Sequence, residues 1–117
     1  MVEYRRRQTH ATRASNLLNG CKDSSRKRNQ ECDLTIEQVL VLVEPMRCSV
    51  TGVELRWEWE GESTHNPWAP SLDRLDNDKG YTLGNVRLVC WIFNRALFTW
   101  EDDVFDKLAR SYVATNP

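Results

Sequence analysis

Nowhere in this chain does an apolar run reach the length of a bilayer crossing, and the N-terminus lacks the charged-then-apolar pattern of a secretory leader. A soluble, cytoplasmic protein is the expectation. No Cys-x-x-Cys pair occurs either: Cys21, Cys32, Cys48 and Cys90 are scattered singly, which in a reducing compartment makes them free thiols. No repeat or low-complexity segment is present. At 117 residues the chain has room for one domain with a modest core.

What is present is unevenly placed. Net charge is only −1, yet residues 1–29 carry Arg5, Arg6, Arg7, Arg13, Lys22, Arg26, Lys27 and Arg28 against Glu3 and Asp23, a local charge of +6 that leaves −7 for the remainder. A basic segment joined to an acidic body points to a polyanion partner, nucleic acid above all. The organisation expected is therefore a basic N-terminal arm and helix over residues 1–30 and a compact body over residues 31–117.

Residues 9–20 suit a helix with Ala11, Ala14, Leu17, Leu18 and Cys21 along one side, ended or weakened by Gly20. Thr35 followed by Gln38 is a capping box opening a second helix with the apolar stripe Ile36, Val39, Leu40 and Val43, stopped by Pro45. Val53, Leu55, Trp57 and Trp59 alternate with charged residues as in a half-buried strand. His65 to Pro70 is a stiff, extended approach in which Trp68 is expected to plug the core. Thr99 with Asp102 resembles another capping box, and Val104, Phe105, Leu108, Ala109 and Tyr112 define a last amphipathic helix expected to pack on the core.

The segment SLDRLDNDKGYTLGNVRLVCWIFN, Ser71 to Asn94, carries the chemistry. It reads as a strand, a loop centred on Asn77-Asp78-Lys79-Gly80, a second strand with Val86, Leu88 and Cys90 on one side, and a helix from Trp91 with Arg95 and Phe98 about a turn apart. A hairpin feeding a helix returns the end of the first strand to the first turn of the helix, so Asp73 and Asn94 can face one point. Two hard oxygen donors there suit a divalent cation such as Mg²⁺ or Mn²⁺, which keeps several waters for a phosphate to replace.

This segment resembles the ββα-metal core of the HNH, or His-Me finger, nucleases. It is most similar to a small phage and prophage group with a Ser-x-Asp-Arg-x-Asp, Lys-Gly-Tyr, Asn-Val-Arg signature. The flanks RASNLLNGCKDSSRKR and CDLTIEQVLVLVEPMRCSVTG resemble that group's basic lead-in and Cys-x-x-Thr-Gly turn, extending the likeness over roughly residues 13 to 98. The resemblance implies an α+β fold: a ββα-metal core, N-terminal helices, a further short strand or hairpin, and a C-terminal helix. It implies that Asp73 and Asn94 bind one Mg²⁺ or Mn²⁺, that Asn85 ties the loop, and that the substrate is DNA, cut by phosphodiester hydrolysis in a host cytoplasm. Arg74, Lys79 and Arg95 join the basic arm as phosphate-binding candidates. Zinc knuckles built from two Cys-x-x-Cys pairs are common in HNH domains; here Cys48 and Cys90 stand alone in those places, so contact between two thiols is expected and structural zinc is not.

One position departs from the pattern. Directly after the metal-binding Asp, an active HNH nuclease usually carries the His that deprotonates the attacking water, and this chain has Arg74. A guanidinium stays protonated and cannot be that base, although its planar fork suits a phosphate. Asp76, His65 or water activated on the ion are the replacements. The competing readings are a weak or inactive HNH-like nucleic-acid-binding module and a protein-binding factor that sets the acidic body against a basic partner; besides DNA, a second copy or a phage or host protein is the partner to look for. If the arm neutralises about four phosphates, log K for duplex DNA should fall with log salt at a slope near −3.6. Deleting residues 1–7 should flatten that slope in a fluorescence-anisotropy titration, and an unchanged slope would assign binding elsewhere.

Overall fold

The computed structural model describes the backbone of residues 2–117 and the side chains of residues 9–117. Its first element is helix α1, Val2–Arg28. Ala14, Leu18, Cys21 and Ser25 recur at helical spacing and are all buried, which makes them the inward stripe. Gly20 does not end the helix as expected. It lies on the exposed side, where a glycine costs about 1 kcal/mol relative to alanine. Burial of Cys21 and Ser25 beyond it favours continuing the helix. The stop comes at Asn29, whose φ of 54° is a left-handed conformation that asparagine tolerates.

Helix α2, Ile36–Val43, opens with the expected capping box: the Gln38 N–H donates to Thr35 Oγ1 at 3.2 Å and the Thr35 N–H donates to Gln38 Oε1 at 3.0 Å. Val39 and Val43 are fully buried beneath it. A tight turn follows. Gly52 holds its bend at φ 77°, which a side chain would strain, and Arg47 pairs with Glu54 as an isolated bridge.

The strand expected over 53–59 does not form. Val53 and Leu55 exchange backbone hydrogen bonds with Cys48 and Met46 around the Arg47–Glu54 bridge, but the ladder goes no further: Arg13 Nη1 donates to the Trp57 carbonyl at 2.7 Å, Asn66 Nδ2 donates to the Arg56 carbonyl at 2.7 Å, and the Trp57 side chain donates through Nε1 to His10 Nδ1 at 2.9 Å. Alternation alone could not reveal that the neighbouring edge ends after a single bridge. Trp68, expected in the core, is 38% exposed, and its contribution is a carbonyl that accepts the Arg56 N–H.

Strands β1, Pro70–Arg74, and β2, Val86–Cys90, form an antiparallel pair in which Asp73 lies opposite Arg87. Helix α3, Trp91–Leu97, follows β2 without a break. Leu72, Val86, Leu88, Val89, Phe93 and Leu97 join the α1 and α2 residues in one core, so Val89 is buried along with Val86, Leu88 and Cys90 rather than facing out. The architecture is α+β, as expected: helices around a two-stranded hairpin.

Helix α4, Asp102–Thr115, departs from expectation twice. Its N-cap is Glu101, with no side-chain cap, rather than Thr99, and the carboxylate of Asp102 accepts from Arg87 instead of closing a box. It also lies on the core only lightly: Phe105 meets Phe93 edge to face at 4.8 Å, and no residue of α4 is fully buried. Phe93 thus ties α3 to α4. Phe93→Ala should cost about 3–5 kcal/mol, read as a lower urea midpoint with unchanged m-value.

Candidate active site

The joint between β1 and α3 opens into a cleft of about 240 Å³ lined by Asp73, Arg74, Tyr81, Asn94 and Arg95, with Ser24 and Arg28 of α1 forming one wall. Asp73 and Asn94, 21 positions apart in sequence, both line this cleft. The orientation of Asn94 follows from its partners. Its Nδ2 donates to Ser71 Oγ at 2.8 Å and to the Leu72 carbonyl at 3.4 Å, which reserves the amide oxygen for another donor or a cation.

Asp73 is only 4% exposed. Burial raises its pKa above the ordinary carboxylate value, and the hydrogen bond and charge of Arg87 offset this only in part. Arg87 Nε donates to Asp73 Oδ2 at 2.9 Å, while Nη1 and Nη2 reach Asp102 at 2.9 and 2.7 Å. The bidentate fork to Asp102 is the largest influence holding Arg87 charged, and the same contact lowers the pKa of Asp102. Arg87 thus spends two donors on α4 and one on Asp73. A single buried carboxylate, incompletely neutralised, beside an amide oxygen is a hard donor set that fits a small divalent cation with most of its shell left to water. Among the described residues there is no cluster of three or more His, Cys, Asp or Glu side chains, so such an ion would rest on few protein ligands.

Asn85 is buried and bonded on both sides of its amide. Its Oδ1 accepts the Asp76 N–H at 2.9 Å, and its Nδ2 donates to the carbonyls of Asp76 at 3.1 Å and Gly80 at 2.9 Å, closing the loop on itself. Gly80 allows the loop to dock on the chain after α1: a Cβ there would stand 1.9 Å from the Glu31 carbonyl oxygen, the same oxygen that accepts the Tyr81 N–H. Arg74 Nη1 donates to Gln30 Oε1 at 2.5 Å, to the Asn77 carbonyl at 3.0 Å and to the Lys79 carbonyl at 3.2 Å, and its guanidinium lies over the Tyr81 ring. The side chain at the usual base position therefore clamps the loop.

The other sequence candidates are dispersed. Asp76 lines an adjoining hollow, its Oδ1 accepting the Asp78 N–H and its Oδ2 lying 3.9 Å from Lys79 Nζ. His65 stacks on Trp91 at 4.9 Å, one ring removed from the cleft, and Arg95 lies over the same indole. Arg28 and Arg95 reach the cleft; Arg13 is committed to the Trp57 carbonyl, Arg26 pairs with Asp23, and Lys22 and Lys27 are exposed on α1. The side chains of Arg5, Arg6 and Arg7 lie outside the described residues. Sequence reasoning missed Arg87 and Asp102. The available signal was an arginine inside an otherwise apolar strand, opposite Asp73 once the hairpin register is drawn.

Away from the cleft, the Cys90 thiol is raised by burial, with the neighbouring Cys48 thiol adding to the rise. Burial also acts to raise Cys48, but hydrogen bonds from Thr51 and nearby backbone bring it below its ordinary value. The two thiols are neighbours, as expected. Burial, with Cys32 nearby, pushes Cys21 up to about 12.

No protein-family model matches the chain, and no curated protein does. Among solved structures, it superposes on the rare-cutting HNH restriction endonuclease PacI with a TM-score of 0.62 over 87% of this chain and 78% of that one, at 19% identity. The fold is HNH-like. At that identity the likeness to PacI speaks for architecture, and the chemistry has to be argued from the cleft.

Asp102 provides a test of the charge arrangement around that cleft. Its folded pKa is depressed, so its contribution to stability is present above the unfolded value of about 3.9 and lost as pH falls through the folded value. Because its side chain is 57% exposed, the pair with Arg87 is screened and Asp102→Asn should cost at most about 1 kcal/mol near neutrality. The difference in melting temperature between parent and variant should vanish as the pH is lowered through the carboxylate range. A difference independent of pH would mean that the charge on Asp102 is not what matters.

Proposed function

We propose that this protein is a metal-dependent DNA endonuclease whose active site is the cleft between β1 and α3. The observation that carries this reading is the meeting of Asp73 and Asn94 at the strand-helix joint of an HNH-like fold. The residues fit one Mg²⁺ or Mn²⁺, held by a carboxylate oxygen of Asp73 and the amide oxygen of Asn94. When bound, such an ion supplies Lewis-acid stabilisation of charge on a phosphoryl group and its leaving oxygen.

The chain's own residues provide the remainder. Arg28 and Arg95 flank the cleft from two helices and draw in the phosphodiester backbone, and the exposed Lys79 and the basic face of α1 extend that field. Arg74 keeps the 76–80 loop in place and contributes a fixed positive charge at the cleft wall. Because a guanidinium cannot accept a proton, the proton of the attacking water leaves to solvent or to Asp76 across the loop. The Ser71-x-Asp73-Arg74-x-Asp76 signature supports a phage or prophage setting and, with it, the host cytoplasm.

Nicking of supercoiled plasmid tests the proposal. The parent should nick with Mg²⁺ or Mn²⁺ and stop with EDTA, and Asp73→Ala or Asn94→Ala should abolish nicking while retaining a cooperative melt. The rate should keep rising with pH instead of levelling near the histidine value of about 6.5. Unaltered nicking by both variants would remove Asp73 and Asn94 from the mechanism. DNA binding without nicking by the parent would favour the binding-module alternative.

A further inference from the structure

Helix α4 presents an apolar face that nothing described in this chain covers. Val104, Leu108 and Tyr112 follow one another at a spacing of four, forming a line along the helix, and are 47%, 66% and 68% exposed. On the adjacent line Phe105 and Ala109 are half-buried against the body, while Val113 is 66% exposed. Trp100, just ahead of the helix, is 60% exposed. A lone helix of this length is marginal in water, and its stability ordinarily comes from packing an amphipathic face. Here the inward line is satisfied and the outer one is not. An aromatic side chain carries about 150–250 Å² of surface, so Trp100 and Tyr112 with the three aliphatic residues leave a patch on the order of several hundred Å², the size that marks an interaction site on a monomer.

We infer that this face pairs with the same face of a second copy of the chain, in an antiparallel, two-fold arrangement. The charge pattern selects that occupant. Residues 101–106 carry Glu101, Asp102, Asp103 and Asp106, and the remainder of α4 carries Lys107 and Arg110, so the helix is acidic at its start and basic from Lys107 on. Antiparallel pairing sets each acidic half against a basic half and opposes the helix dipoles. Asp103 and Lys107 lie four residues apart on one flank of the apolar line, and an antiparallel pair brings like flanks together, so each Asp103 faces the partner's Lys107. The same carboxylates disfavour a nucleic acid as occupant. Two copies of the patch together reach about the 1,000 Å² that a specific interface needs. Since Asp102 of this helix holds Arg87, which holds Asp73, two ion pairs connect the pairing helix to the cleft. The two-fold arrangement carries two clefts, one for each strand of a duplex.

Sedimentation equilibrium on the full chain tests the inference. The parent should reach twice the 13.7 kDa chain mass as concentration rises. Leu108→Glu, at an exposed position, should retain its helical signal and weaken self-association roughly tenfold or more. Asp103→Lys and Lys107→Asp should each weaken it, and the double exchange should restore it. A parent that stays monomeric at every concentration would overturn the inference, as would a dimer indifferent to Leu108→Glu. Single charge exchanges without effect would overturn the antiparallel arrangement. Loss of DNA binding on Leu108→Glu from a parent that is itself monomeric would assign the face to DNA instead.

Discussion

Arg87 joins three parts of this protein that would otherwise be independent. From the second residue of β2 it reaches across the hairpin to Asp73, forward to Asp102 at the start of α4, and over the ring of Phe93 in α3. A carboxylate as enclosed as that of Asp73 is costly to leave alone; removing the partner of a buried pair typically costs about 3–5 kcal/mol. The arginine offsets only part of what burial does to Asp73, giving it one N–H while two reach Asp102. Residual negative charge in a partly open cleft suits the capture of a cation. The same division of donors ties the orientation of the terminal helix to the site.

The loop between the strands is held by amide and guanidinium groups rather than by apolar packing. Asn85 closes it from within, Arg74 clamps it from the β1 side together with Gln30, and Gly80 permits its backbone to touch the chain after α1. These bonds are directional and fix the floor of the cleft at modest energetic cost. They also account for an arginine at a position where active HNH nucleases usually carry histidine: here the side chain has structural work whether or not it meets a phosphate.

Helix α4 and the segment 53–59 show opposite relations between pattern and environment. Both alternate or repeat in a way that promises one buried face. In 53–59, Arg13, His10 and Asn66 satisfy the side chains and carbonyls, and no strand forms. In α4 the helix forms as its pattern requires, yet much of its apolar surface faces outward. Periodicity reports which face is apolar and is silent about what will cover it.

The short-range grammar of this chain determined a good deal by itself. The Thr35–Gln38 capping box, the end of α2 before Pro45, the two strands around the Asn77–Gly80 loop and the change to helical spacing at Trp91 are set by neighbouring residues, so they were legible without coordinates. The convergence of Asp73 and Asn94 was legible as well, because a hairpin followed directly by a helix leaves little freedom in where its ends meet. Tertiary structure alone decided that Gly20 stays helical, that Asp102 abandons a capping role for Arg87, that Arg74 turns to Gln30 and the loop, and that α4 keeps an uncovered face. Each of these is a competition between a local preference worth about 1 kcal/mol and a partner brought from a distant part of the chain. Sequence displays the local preference, and only the folded arrangement supplies the partner that outweighs it.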